Sequence, residues 1–215
     1  MSPRKVREFF SRLAAADPEP KSELEYATPY QLLVAVVLSA QATDKGVNRA
    51  TQPLFREHPT PQAIAALGEE GIANYIRTIG LYRTKARNVA ALSRLLLERH
   101  GGDVPHDRPA LEALPGVGRK TANVVLNVAF HEPTIAVDTH IFRVANRTGL
   151  APGATPEAVE QKLLKVVPAN YRLHAHHWLI LHGRYTCMAR RPDCPHCTVS
   201  DLCGWKEKTR VQSQP

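Results

Sequence analysis

Leu114-Pro-Gly-Val-Gly-Arg-Lys120 decides how the chain is read. Pro115 ends whatever helix precedes it, because the residue before a proline is pushed out of the α region. Gly116 and Gly118 permit the positive φ angles of a tight hairpin, and both let the backbone approach a partner closely. A new helix is predicted from about Arg119. Its first N–H groups have no partner within the helix, and with the positive end of the helix dipole they form a site for an anion. Gly116, Val117, Gly118 and Arg119 are therefore read as a contact that holds a nucleic-acid phosphate, a contact that fixes position without reading sequence.

Two residues near this hairpin carry chemistry. Lys120 sits in the first turn of the new helix, where the helix dipole and Arg119 both disfavour the charged amine. An ordinary lysine is only about one part in two thousand neutral at pH 7, so a nucleophilic role needs such depression, aided by burial. Asp138 follows the apolar run Ile135-Ala-Val137 and precedes a helix expected over 139–147. On spacing alone, the plainer readings come first: Lys120 as a point charge for phosphate, and Asp138 as an N-cap. The two roles of Asp138 are compatible, since one oxygen can cap while the other faces a site.

Outward from the hairpin, nearly every segment has helical spacing, and proline or glycine stands at the breaks. The fold class is all-α. Val6, Phe9, Phe10 and Leu13 form a core-facing stripe. The segment 30–41 is apolar on nearly all sides, which marks a central buried helix. Pro53 is expected to kink or split the helix that follows residue 44. Two short helices are expected over 61–67 and 69–79, then a long one over 83–100 stopped by Gly101-Gly102. Shorter helices are expected over 107–113 and 156–167, and a final one from Pro168 to Tyr185.

Gly80-Leu-Tyr-Arg-Thr-Lys-Ala86 lines up with Gly116-Val-Gly-Arg-Lys-Thr-Ala122, each between two helices. The first is read as a degenerate copy of the same unit, with Tyr82 in place of the second glycine and Thr84 in place of Lys120. The alternative is a chance likeness of two basic helix starts. Leu81, an apolar residue at the tip of this copy, is read as a wedge inserted between base steps. A leucine packed on the following helix is the competing reading.

The net charge of +8 suits a polyanionic partner. No run approaches the roughly 20 apolar residues of a membrane span, and the N-terminus lacks the apolar segment of a secretory signal. The expected location is the bacterial cytoplasm, associated with the nucleoid, or the nucleus if the source is a eukaryote. All four cysteines fall near the C-terminus as Cys187-x6-Cys194-x2-Cys197-x5-Cys203. Without an export signal, this argues for a tetrathiolate metal site rather than disulfides. The spacing leaves zinc and iron-sulfur ligation open. His174, His176, His177 and His182 are read as ordinary packing or surface histidines, because the cysteines already complete a ligand set.

Leu-Pro-Gly-Val-Gly-Arg-Lys120, Val-Asp138-Thr-His and the cysteine cluster together resemble the endonuclease III family of bifunctional DNA glycosylases. The resemblance extends over Leu38-Ser-Ala-Gln-Ala-Thr-Asp44, Ile79-Gly-Leu-Tyr82 and His177-Trp-Leu-Ile-Leu-His-Gly-Arg-Tyr-Thr-Cys187. It implies two helical domains, a helix-hairpin-helix domain over 22–132 and an iron-sulfur domain over 1–21 and 133–215, with the DNA-binding cleft between them. It implies a [4Fe-4S] cluster on Cys187, Cys194, Cys197 and Cys203. It implies a monomer acting on double-stranded DNA with damaged bases or abasic sites, removing oxidised or saturated pyrimidines and then cleaving the strand by β-elimination. Lys120 matches the family nucleophile and Asp138 the assisting carboxylate, while Gln41 and Leu81 match positions that fill the gap left by the extruded nucleotide. An adenine mismatch glycosylase would lack Lys120. A non-catalytic DNA-binding module stabilised by zinc is the rival from another class.

Overall fold

Four helices start on the same pair of residues, a serine or threonine followed by proline. These are α1 (Pro3–Ala16), α2 (Pro29–Leu38), α4 (Pro61–Tyr75) and α9 (Pro156–Val166). In each, the Ser2, Thr28, Thr60 or Thr155 hydroxyl accepts a first-turn N–H, and the proline supplies a preset φ where its missing N–H costs nothing. The remaining helices are α3 (Asp44–Glu57), α5 (Tyr82–His100), α6 (Arg108–Glu112), α7 (Arg119–Phe130), α8 (Thr139–Thr148) and α10 (Arg172–Tyr185). The structure, a computed structural model, describes residues 1–209, and among them there is no strand. The chain forms two compact units, one of Ser22–Glu132 and one of Met1–Lys21 with the chain from Pro133 on.

The unit 22–132 is built around α2. Every residue from Tyr30 to Leu38 is buried, as a helix that packs on α3, α5 and α7 requires. Its one buried hydroxyl is paired: Tyr30 Oη lies 2.6 Å from Ser93 Oγ of α5. Two expectations are corrected here. Pro53 lies inside a single unbroken α3 and does not split it. Burial of Ala50, Thr51, Leu54 and Phe55 on both sides of it holds the helix together despite the lost backbone bond. The break expected in α4 does occur, at Gly68 (φ 72°, ψ 176°), but the second half ends at Tyr75. The chain then turns so that Ile76 and Ile79 enter the core.

In the other unit, the expected stripe of Val6, Phe9, Phe10 and Leu13 is buried. Phe10 stacks on Tyr171 with ring centroids 6.1 Å apart, and Trp178 Nε1 donates to the Asp17 carbonyl at 2.7 Å. The helix expected from Pro168 starts four residues later. Ala169–Tyr171 is a 3-10 turn, and α10 begins at Arg172. Tyr171 closes that turn onto the Pro168 carbonyl while its ring packs against Phe10 and Trp178. Among the described residues, no helix is long and apolar enough to cross a membrane.

Candidate active site and candidate metal centre

The hairpin between α6 and α7 is pinned from below. Leu111, Leu114 and Val117 are buried, and the Val117 N–H closes the turn onto the Leu114 carbonyl at 3.1 Å. Gly116 has φ 79°, and a Cβ there would lie 2.8 Å from Asn88 Nδ2 of α5. Both conformation and space thus require glycine. Gly118 is different, and the expectation of a positive φ there is corrected: its backbone is extended (φ −99°, ψ 178°) and it forms the N-cap of α7. A Cβ at Gly118 would meet nothing within 4 Å. The glycine therefore leaves open the space in front of the first turn of α7, a helix start that no side chain caps. This is the geometry of an anion site.

Lys120 projects from that first turn, is exposed, and has no acidic residue in the turn with it. The burial expected to aid its neutral form is absent. Asp138 is the N-cap of α8: its Oδ1 accepts the Ile141 N–H at 2.8 Å, which leaves Oδ2 outside the cap bond. The buried Ile135, Ala136 and Val137 fix the chain just before it, and Asp138 itself is half-buried. Capping and facing a site are thus both available to one carboxylate.

Gln41 and Leu81 share a backbone feature that the sequence did not reveal. Both are non-glycine residues in the left-handed region, with φ 55° and 59°, and both are exposed. That conformation costs roughly 1–2 kcal/mol for a residue with a Cβ. Leu81, at 63 % exposure, is not packed on α5, which removes the core reading. Tyr82 behind it is half-buried against the core, with the Arg83 guanidinium 5.1 Å from its ring centre.

Lys85 is the residue that sequence reasoning missed. Its side chain is buried, and Nζ donates to the Ala40 carbonyl at 2.6 Å. Burial pushes its pKa below the ordinary lysine range. A signal was present: Lys85 lies on the face of α5 that carries the buried Val89, Leu92 and Leu96, and a lysine on an apolar stripe calls for a partner.

The four cysteines are free of disulfides and line one cavity, with Arg147, His182, Trp205 and Lys208 in the same wall. Among the described residues, no three or more His, Cys, Asp or Glu side chains are grouped to hold a single metal ion. Donors surround the sulfurs. Arg147 Nη1 approaches Cys187 Sγ at 3.6 Å, and the Trp205 N–H reaches Cys203 Sγ at 3.4 Å. Arg143 and Arg147 tie the ligand loop to α8 through the carbonyls of Gly183, Cys187, Met188 and Ala189. Donors and cations of this kind stabilise thiolates and the net negative charge of a tetrathiolate centre. Of the four histidines, His182 is buried against the Phe9 ring, and its Nε2 lies 3.8 Å from Cys197 Sγ. Burial lowers its pKa to about 4.

Comparison with known proteins places this geometry in context. The HhH-GPD superfamily of base excision DNA repair proteins matches residues 34–169. Endonuclease III of Escherichia coli (strain K12) is 59% identical over 211 residues, covering 98% of this chain and 100% of its own length. Endonuclease III of Haemophilus influenzae is also 59% identical, covering 97% and 99%. Among solved structures, a trapped endonuclease III–DNA covalent intermediate, an estranged-adenine complex, superposes with a TM-score of 0.89 at 44% identity, over 95% of this chain and 96% of that one.

Proposed function

The chain belongs to the HhH-GPD superfamily of base excision DNA repair proteins, and we propose that its chemistry runs through Lys120 assisted by Asp138. It is a bifunctional DNA glycosylase and abasic-site lyase, as its likeness to endonuclease III over nearly the full length of both chains supports. Its substrates are oxidised or saturated pyrimidines in duplex DNA. The target sugar is inaccessible in a stacked duplex, so the nucleotide is extruded before reaction. The neutral Lys120 amine attacks C1′ and displaces the base. The base leaves with a proton and C1′ becomes a cyclic aminal; the nitrogen lone pair then breaks the C1′–O4′ bond, O4′ takes a proton, and the ring-opened iminium loses a C2′ proton so that β-elimination breaks the 3′ C–O bond of the strand. Asp138, through the oxygen left outside its cap bond, assists the attack and stabilises positive charge developing on the sugar. The hairpin holds a backbone phosphate. Gln41 and Leu81 fill the space that the extruded nucleotide leaves.

The observation that carries this reading is Lys120 itself, exposed at the uncapped start of α7 beside the open space at Gly118. Borohydride reduction tests it by fixing a protein–DNA Schiff base on an abasic duplex. The wild type is expected to give a covalent adduct. Lys120→Gln is expected to bind the duplex and give none, since the exposed position has no structural task. Undiminished trapping by Lys120→Gln would overturn the assignment.

Cys187, Cys194, Cys197 and Cys203 would hold a [4Fe-4S] cluster, whose role is to organise the ligand loop. Four thiols on one cavity, ringed by N–H donors and the cationic Arg147 and Lys208, suit a tetrathiolate centre, and the likeness to endonuclease III favours the cluster over zinc. Losing one ligand removes folding free energy along with the metal. Cys197→Ser is therefore expected to lose the broad visible absorbance of the wild type and to melt at lower temperature. Full iron content with unchanged melting would contradict the ligand set. We place the protein as a monomer in the bacterial cytoplasm, on the DNA of the nucleoid.

A further inference from the structure

Three exposed residues of the unit 22–132 adopt left-handed backbone conformations that side chains rarely take: His131, which ends α7, and Gln41 and Leu81, each in a turn before a helix. Such conformations persist only where the surroundings fix them. One residue touches the chain at both of these turns. The backbone N–H of Lys85 donates to the Leu81 carbonyl at 3.0 Å, closing the first turn of α5 over Leu81. Its Nζ donates to the carbonyl of Ala40, the residue before Gln41, at 2.6 Å. No side chain caps α5, so the Leu81 turn has no capping bond to share this work. The Gln41 turn follows the C-terminal end of α2, where the helix dipole favours a cation. An amine buried on an apolar face is costly unless it is hydrogen-bonded, and the bond to Ala40 is the one that Lys85 makes from its side chain.

We propose that Lys85 is a positioning residue that locks the Gln41 turn to the Leu81 turn, so that the two exposed side chains enter the DNA duplex as one unit. The proposal rests on the reading that Gln41 and Leu81 fill the gap in the helix. It adds a residue that touches neither DNA nor the reacting atoms. Without Lys85, each turn still carries its own side chain but their separation is no longer fixed. Misplacement of positioning groups by about 1 Å can cost on the order of a hundredfold in rate. The loss falls on extrusion rather than on the chemistry at C1′.

The test compares wild type with Lys85→Met, which fills the same volume but cannot bond to Ala40. The first readout is base release under saturating enzyme from a duplex carrying a saturated pyrimidine, with 2-aminopurine opposite it to report unstacking. The second is strand cleavage at an abasic site in single-stranded DNA, where nothing is extruded. Lys85→Met is expected to lower the ratio of duplex to single-strand rate by about tenfold to a hundredfold and to blunt the 2-aminopurine rise on binding. Combining it with Leu81→Ala is expected to add little further loss, since both changes remove the same action. If Lys85→Met does not fold, Lys85→Arg, which keeps the cation and its reach, is set against Lys85→Gln, which is shorter; Arg should retain the ratio and Gln should lose it. A wild-type ratio and fluorescence rise in the variants, or equal losses on both DNAs, would overturn the proposal. Failure of the wild type to form any borohydride-trapped adduct would instead overturn the assignment of Lys120.

Discussion

The turn before α5 and the hairpin before α7 share a sequence frame, Gly-x-x-Arg, yet they fold in opposite senses. In the hairpin, Val117 is buried, Gly116 takes the left-handed position and α7 starts behind an extended Gly118. In the other turn, Leu81 stands in the aligned place of Val117. It is exposed, is itself left-handed, and the helix starts directly behind it. The lysines differ by one register position, Lys85 aligning with Thr121 and Thr84 with Lys120. One residue turns a helix position by about 100°, and here that step separates an exposed amine from a buried one. Similar sequences thus yield one turn that offers backbone and an amine to its surroundings and one that offers an apolar side chain.

The sharpest way to break this contrast is to exchange the amines. Lys120→Gln is expected to abolish strand cleavage at abasic sites, a loss of several orders of magnitude, and adding Thr84→Lys should restore none of it. Restoration in the double variant, measured on an abasic duplex, would show that the two helix starts are interchangeable.

Next in size is Gly116→Ala. It combines a left-handed backbone with a Cβ placed 2.8 Å from Asn88, and should lower stability by about 1–3 kcal/mol in denaturant unfolding. A smaller change would mean that the hairpin can relax. Leu81→Ala follows. It is expected to cost about tenfold or more in base release from duplex DNA, because unstacking costs a few kcal/mol per base step. Its melting temperature should barely move, since the side chain is exposed. Sharply lowered melting with intact activity would return Leu81 to a packing role. The smallest stability effect is expected for Gly118→Ala, within about 1 kcal/mol, because the backbone there is extended and the space open. DNA binding should weaken nonetheless, which fluorescence anisotropy would show.

Most helix boundaries were legible because Ser/Thr-Pro pairs and Gly101-Gly102 mark them with local chemistry. Pro53 misled because its effect depends on how well its neighbours Leu54 and Phe55 are buried, which is a tertiary fact. At the site, Asp138 was legible as a cap because its partner, Ile141, is three residues away. Gly118 was given the wrong backbone, since glycine allows a positive φ without requiring one. The left-handed Leu81 was invisible because nothing in a leucine suggests that conformation. Lys85 carried a signal in its place on an apolar face, but its partner carbonyl, 45 residues away, could not be read from the sequence.

In the proposed mechanism, the amine at the start of α7 is the one that becomes covalently attached to DNA. Peptide mapping of the borohydride-trapped adduct by mass spectrometry tests it most directly. The sugar remnant is expected on Lys120, in a peptide distinct from the one bearing Lys85. A remnant on the N-terminal amine, or on any other lysine, would contradict it.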